Sequence, residues 1–342
     1  MAGYGPEASV QRPRTRSSTG CYRKGGATPH SRTLSLLYSN NTRSILVHNL
    51  QKDLGSDDMT DSKRTVLITG CSEGGMGAAL AKEFHSAGLH VYATARDVSK
   101  MKSLEALGIE TLPLDIQSDS SIEACAKRIS RLDILINNAG GQMTMPIADL
   151  SISEAKKLFD LNVWGHIAMA QAFLPLLLES PKAIIANHTS VGAGMAIPWQ
   201  SIYNASKAAM SMFSDTLRLE LQPFDIAVVN LRTGGVKTNV VKNLQAKDPQ
   251  LPQSSIYAPA KELMEKALRI DWVDYEKTGV TAEQWAKEVV ADLLKKTPPL
   301  AIWRGESAGM ARLGSFLPST WFDGMVRRMT SLDKVEGAIR KQ

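Results

Sequence analysis

The sequence predicts an α/β protein: a doubly wound parallel sheet in a single domain, followed by a C-terminal helical extension. Three observations predict it. From Arg64 onward, short β-branched and apolar runs alternate with stretches whose apolar residues recur every three or four positions. Thr65–Thr69 is a short β-branched and apolar run, as expected of a buried strand in a parallel sheet covered on both faces. A glycine-rich turn, Gly70–Gly77, joins the first strand to the first helix.

The elements follow in order. Thr65–Thr69 is the first expected strand. Met76, Leu80, Phe84 and Ala87 then recur at helical spacing, with Gly88 placed to cap the helix. Leu89–Ala95, Ile109–Leu112 and Leu132–Asn137 read as strands two to four. Ser153–Glu179 reads as one long helix, Ala183–Thr189 as strand five, Ser201–Leu221 as the next helix and Ile226–Leu231 as strand six. A long irregular stretch precedes a helix at Ala282–Lys296, where Ala286, Val289, Val290 and Leu293 share a face, and a seventh strand at Leu300–Arg304. No internal repeat or inter-domain linker interrupts the series. The expected organisation is a disordered basic N-terminal extension (1–60), a nucleotide-binding domain (64–304) and a C-terminal helical segment (305–342).

Charge narrows the partners. The 342 residues include 40 basic and 34 acidic groups, a formal +6. Met1–Leu50 holds seven of the basic residues and one acid, Glu7, so residues 51–342 are balanced at 33 of each sign. A neutral body is a poor polyanion binder, and no nucleic-acid partner is expected. The Ser-, Arg- and Gly-rich start shows no periodicity and reads as disordered. A targeting segment, a translation start at Met59 and an inert tail all fit it. Cys21, Cys71 and Cys125 lack disulfide or metal-ligand spacing, so no metal is expected and a reducing compartment fits. No uninterrupted run of about 18 apolar residues occurs, and no membrane-spanning helix is expected.

The segment Thr69-Gly70-Cys71-Ser72-Glu73-Gly74-Gly75-Met76-Gly77 lies between a strand and a helix. There glycines let the backbone approach a pyrophosphate, and the helix N-terminus offers free N–H groups to it. This is the Rossmann-type arrangement, and without a Gly-Lys-Ser/Thr ending it is not a nucleotide-hydrolysing P-loop. Strand two ends Ala95-Arg96-Asp97. Arg96 suits the 2′-phosphate of NADP, with Ser72 adding a hydroxyl. Asp97 suits the ribose hydroxyls of NAD, and Glu73 would repel a phosphate. NADP(H) is the favoured cofactor.

Tyr203 and Lys207 are spaced i, i+4 on a helix and share a face. A phenol titrates near ~10. An adjacent ammonium favours the phenolate and is expected to pull that value down, fitting the phenol for proton transfer. Ser190 closes strand five, thirteen residues upstream.

Thr69-Gly70-x-x-x-Gly74, Asn137-Asn138-Ala139-Gly140, Asn162, Ser190 and Tyr203-x-x-x-Lys207 together resemble the short-chain dehydrogenase/reductase family, over about residues 64–304. The resemblance implies that Tyr203 is the general acid of ketone reduction and that Lys207 tunes it and bonds the nicotinamide ribose. It implies that Ser190 holds the substrate oxygen and that Asn162 holds a water linking Lys207 to solvent. It places Gly70, Ser72, Gly74, Met76, Gly77, Arg96, Asp115, Asn138, Val236 and Thr238 against the cofactor. Two departures stand out. The glycine loop carries one extra residue, so its last glycine is Gly77. Thr233-Gly234-Gly235 replaces the usual Pro-Gly after strand six, and two glycines should loosen that loop.

Within the family, Gly234-Gly235, Ser201–Ala209, Ser255-Ile256-Tyr257, Trp303-Arg304-Gly305 and Leu332–Val335 are similar to the NADPH-dependent 1-acyldihydroxyacetone-phosphate reductases. That similarity implies a lipid-like ketone substrate and a location in the cytoplasm or at the cytoplasmic face of endoplasmic reticulum or lipid droplets. Reductases of polyketide, terpenoid and steroid pathways share the general pattern, as would an NADP-sensing scaffold, although a scaffold need not keep all four catalytic positions. The family also implies homo-oligomers built through the long helices.

Several residues carry simpler readings. Cys71 reads as a small packed residue, and His85, His90, His166 and His188 read as ordinary. The glycosylation-type triplets at Asn187 and Asn204 fall in core elements and read as incidental. Met310, Leu313, Phe316, Leu317, Trp321, Phe322 and Met325, interspersed with Arg312, Arg327 and Arg328, suit a membrane interface. A lid over the pocket or a dimer contact fits them too. Lys237, Lys242 and Lys261 are weak candidates for a substrate phosphate.

Overall fold

In a computed structural model, the described residues are 63–271, 273, 279–318 and 320–341. The expected N-terminal extension (1–60) lies outside them. Seven parallel strands form the central sheet: β1 (Thr65–Thr69), β2 (His90–Ala95), β3 (Glu110–Pro113), β4 (Ile134–Asn137), β5 (Ile184–His188), β6 (Ala227–Thr233) and β9 (Ala301–Arg304). Their spatial order is β3-β2-β1-β4-β5-β6-β9. The order reverses between β1 and β4, and in open parallel sheets the crevice at that reversal is where ligands bind. Two short strands, β7 (Val236–Lys237) and β8 (Val280–Thr281), pair separately.

One face of the sheet is covered by α1 (Met76–Ser86) and α8 (Ala282–Leu293), which bury Leu80, Phe84, Trp285 and Val289 against β1, β4 and β5. The other is covered by α2 (Asp119–Ala126) and α4 (Gly165–Leu178), through Ile122, Met169, Phe173 and Leu177. Strands enclosed on both faces must be apolar throughout, and β1 is buried at all five positions.

The long helix is more complex than its spacing suggests. It runs as α3 (Ile152–Phe159), a π-turn (Asp160–Trp164) and α4. By length and composition, Ile152–Leu178 could cross a membrane, with a mean hydropathy of 1.4. That departs from the count of uninterrupted apolar residues, because a few polar side chains leave the average high. Met169, Phe173 and Leu177 are fully buried against the sheet, yet only 39% of the apolar window is buried, so the core accounts for part of its apolar character.

After β6, the stretch read as irregular contains α6 (Asn239–Ala246) and α7 (Lys261–Leu268). The C-terminal residues form α9 (Ala308–Gly314), α10 (Asp323–Met329) and α11 (Leu332–Ile339). They do not simply append to the domain. Val335 of α11 joins a core of its own with Trp199, Leu251, Met264 and Leu268, and the Trp199 indole donates to the Thr330 carbonyl at 3.4 Å. Trp199 lies just before α5 (Ser201–Glu220), the helix that carries Tyr203 and Lys207.

Candidate active site

The glycine turn after β1 meets the loop after β4. Gly70 and Gly74 have φ of 74° and 73°, which glycine adopts without strain. A Cβ at Gly70 would stand 2.9 Å from the Ala139 Cα, and one at Gly77 would overlap the Gly70 carbonyl oxygen. Gly77, the displaced last glycine, therefore allows the helix to sit directly on the turn. The two loops are tied together by Thr69, whose Oγ1 accepts from the Asn138 and Ala139 N–H groups at 2.9 Å each. The Asn138 amide donates to the Thr69 carbonyl at 2.7 Å. No side chain caps α1, and its first turn has no acid. Its leading N–H groups thus remain available to an anion.

These loops border a cavity of about 540 Å³. Gly70, Ser72, Met76, Arg96, Asp115, Asn138 and Thr238 line it, as the sequence suggests. Gly74 and Gly77 shape the turn instead of lining the cavity. The two residues after β2 separate. Arg96 lines the cavity, whereas the Asp97 carboxylate turns back to accept from Ser99 N–H at 3.0 Å and Ser99 Oγ at 2.6 Å. Those bonds hold Asp97 below its ordinary value and occupy the acid that would otherwise serve the ribose hydroxyls. Glu73 lines the cavity as well.

The cavity continues into a smaller cleft of about 210 Å³; Met76, Asn138, Gly140, Thr238 and Val240 line both. Ser190, Tyr203, Lys207 and Val236 converge there. Ser190 begins a short 3-10 turn and its Oγ accepts from Gly192 N–H at 3.1 Å. Tyr203 bonds to Ser190. Asn162 does not line the cleft. From the π-turn its amide spans Gly141, accepting from N–H at 2.8 Å and donating to C=O at 3.0 Å, and donates to Ser206 Oγ at 3.0 Å. Asn162 and Lys207 nonetheless flank Gly140: a Cβ there would lie 3.3 Å from Asn162 Oδ1 and 3.6 Å from Lys207 Nζ.

The electrostatics differ from the expectation in one respect. Burial lowers the Lys207 ammonium to about 8. Burial raises the Tyr203 phenol above its ordinary value, against the lowering effect of Ser190. The expected lowering by Lys207 is not what this geometry produces. Nζ lies 6.0 Å from the ring centroid and donates to the His188 carbonyl at 2.9 Å, so desolvation outweighs it.

The Gly234-Gly235 pair is also not loosened. Gly235 and Glu306 exchange antiparallel backbone bonds at 3.0 and 2.9 Å. Glycine here permits close approach of two backbones, which fastens the loop to the exit of β9. Cys71 is fully buried, donates to the Ile68 carbonyl at 3.3 Å and has its thiol pushed up by burial to about 12, which fits a packed residue. Asn187 is likewise buried, bonded to Asn137 and Ser214.

Sequence reasoning missed Lys100, which lines the cavity along with Arg96 from the 3-10 turn Val98–Met101, and Asn239 and Asn243 from α6. The four-residue spacing of Arg96 and Lys100 was the available signal. It also passed over His188, which lines the catalytic cleft.

A parallel sheet whose crevice joins a dinucleotide-sized cavity to a Ser-Tyr-Lys cleft defines a nucleotide-dependent oxidoreductase. The family model for short chain dehydrogenases matches residues 64–249. A short-chain dehydrogenase/reductase of Pestalotiopsis microspora is 52% identical over 283 residues, covering 82% of this chain and 99% of that protein. An NADPH-dependent 1-acyldihydroxyacetone phosphate reductase of Schizosaccharomyces pombe is 35% identical over 289 residues, covering 80% and 96%. Among solved structures, a short-chain dehydrogenase from Streptomyces avermitilis superposes with a TM-score of 0.64 at 25% identity, covering 81% of this chain and 98% of that one. The chain belongs to the short-chain dehydrogenase/reductase family.

Proposed function

We propose that the protein is an NADPH-dependent reductase that converts a ketone of a hydrophobic substrate to a secondary alcohol. The observation that carries this reading is the continuity of the cleft holding Ser190, Tyr203 and Lys207 with the cavity bearing Arg96.

Arg96 and Lys100, with Ser72, would hold the 2′-phosphate. The uncapped start of α1 would hold the pyrophosphate, Asp115 the adenine, and Val236 and Thr238 the nicotinamide end. When bound, NADP(H) supplies the hydride. Ser190 would turn its hydroxyl from Tyr203 to the substrate oxygen, where charge develops. Tyr203 gives that oxygen a proton, and its raised pKa keeps it protonated at neutral pH. Lys207 bonds the nicotinamide ribose and resupplies the proton, with the Asn162 turn holding water beside Gly140.

The Schizosaccharomyces pombe relative makes an acylated dihydroxyacetone phosphate one substrate reading. A second reading, an uncharged ketone of polyketide, terpenoid or steroid type, is favoured by the lining of the cleft. Apart from Lys207 and His188, no basic side chain lines it among the described residues. Lys261 lies 3.8 Å from Glu265 and is not among the lining residues.

Exposed Leu313, Phe316 and Trp321, beside Arg312, support contact with a lipid surface where such substrates collect. The apolar groove along α4 and α5, with Trp164 and Phe213 exposed and in edge contact at 6.1 Å, supports a homo-oligomer.

The test follows NADPH oxidation with a panel of ketones spanning phosphorylated acyl and uncharged cyclic types. Turnover is expected, with Tyr203→Phe losing roughly 10²-fold or more. Absence of turnover with every ketone, and no difference for Tyr203→Phe, would sink the reading.

A further inference from the structure

His188 ends β5 with its side chain buried, in a position where an aliphatic residue would satisfy the core. Three contacts give it a different character. Its Nδ1 lies 2.9 Å from Asn138 Oδ1. Its ring stacks on Trp285 of α8, with centroids 5.3 Å apart and planes 23° from parallel. Its backbone carbonyl accepts from Lys207 Nζ at 2.9 Å.

The hydrogen bonds fix the tautomer. The Asn138 amide nitrogen already donates to the Thr69 and Gly70 carbonyls at 2.7 and 3.3 Å, so Oδ1 faces His188 and can only accept. His188 therefore carries its proton on Nδ1. The titratable groups around it are Lys207 and His166. Burial and Lys207, followed by His166, hold the imidazole well below its ordinary value, so it is neutral. A neutral ring that still donates links three parts of the site: the glycine turn through Asn138, the catalytic lysine through its own carbonyl, and α8 through Trp285.

We propose that His188 is a positioning residue of this active site: its Nδ1–H orients the Asn138 amide, and through it the glycine turn, while its stacked ring fixes the strand end that holds Lys207. An apolar side chain could fill the volume but would leave Asn138 Oδ1 without a donor. The inference rests on the reading of the adjoining cavity as an NADPH site.

The test measures NADPH affinity by cofactor fluorescence in the parent protein, His188→Leu and His188→Asn, with imidazole nitrogen NMR on the parent. Asn replaces the Nδ1–H donor, and Leu replaces only the bulk. The expected results are about tenfold weaker NADPH binding for His188→Leu and recovery to within roughly threefold for His188→Asn. The parent should show one neutral His188 ring protonated at Nδ1 from neutral pH down to about 6. Leu and Asn variants that both bind like the parent, or that lose affinity equally, would overturn the inference. So would an Nε2-protonated or charged ring, and this readout stands even if a variant fails to fold. A parent protein that binds no NADPH overturns the cofactor reading itself, which separates the two failures.

Discussion

Gly234 lies directly against Glu306. The Gly234 N–H donates to the Arg304 carbonyl at 2.9 Å, and a Cβ on Gly234 would overlap the Glu306 carbonyl oxygen. The pair brings the loop after β6 into register with the exit of β9, next to Val236 and Thr238. Gly234→Ala should therefore destabilise the protein by about 1–3 kcal/mol, as overpacking does in a well-filled core. It should also weaken cofactor binding, because the displaced loop carries Val236 and Thr238, which line the cleft. Urea melts and NADPH titration check both; an unchanged melt would show that the backbones can separate at no cost.

Arg96 should discriminate between the two cofactors. Arg96→Ala is expected to weaken NADPH binding about tenfold or more while leaving NADH nearly unaffected, and Lys100→Ala should act in the same direction more weakly. Paired titrations with both nucleotides decide it. Equal losses would mean that Arg96 holds something other than a phosphate.

His166 makes the fold acid-sensitive. Its Nε2 donates to the Ala139 carbonyl at 2.6 Å, and burial, helped by Lys207, lowers its pKa to about 3. An unfolded chain protonates this residue near ~6.5. Between those values the unfolded state binds the extra proton, so stability falls as pH drops from about 6.5 towards 3, by up to ~1.4 kcal/mol per pH unit. His166→Gln keeps the donor and removes the titration. Its stability, measured by urea melts at pH 7 and about pH 5, should decline less than the parent's. Parallel declines would show that other groups set the slope.

Leu313, Phe316 and Trp321 are 72%, 82% and 67% exposed. Replacing all three by serine should abolish binding to anionic liposomes in a flotation assay without changing the melting behaviour. Such substitutions are a better probe than truncation, because removing the segment would also uncover Met264 and Leu268. Flotation unchanged by the triple substitution would remove the lipid-contact reading.

Much of the architecture was legible because strands enclosed on both faces have little compositional freedom: β1, β4 and β5 each carry a run of three consecutive apolar residues, and every position in them is buried. The glycine turn, Ser190, Tyr203 and Lys207 were legible because their chemistry constrains their spacing. The π-turn at Asn162 was not, since the i, i+3, i+4 pattern continues almost unchanged across one inserted residue. The fixed Gly234-Gly235 loop was hidden for another reason: conformational freedom in isolation says nothing about a distant backbone that fills it. His188 needed Asn138 and Trp285, neither near it in sequence, before its ring had a partner. The direction of the Tyr203 shift depended on burial, which local spacing does not encode.

The bond from Trp199 to Thr330 carries a practical consequence for altering this enzyme. Trp199 has a φ of 68° and stands at the entrance to the helix bearing Tyr203, and the chain's last helices brace it from behind. A fusion partner, affinity tag or proteolytic cut at the C-terminus would press on or release that brace. Variation in α10 and α11 is thus a remote handle on the entrance to the helix bearing Tyr203, and mutational libraries gain by including it.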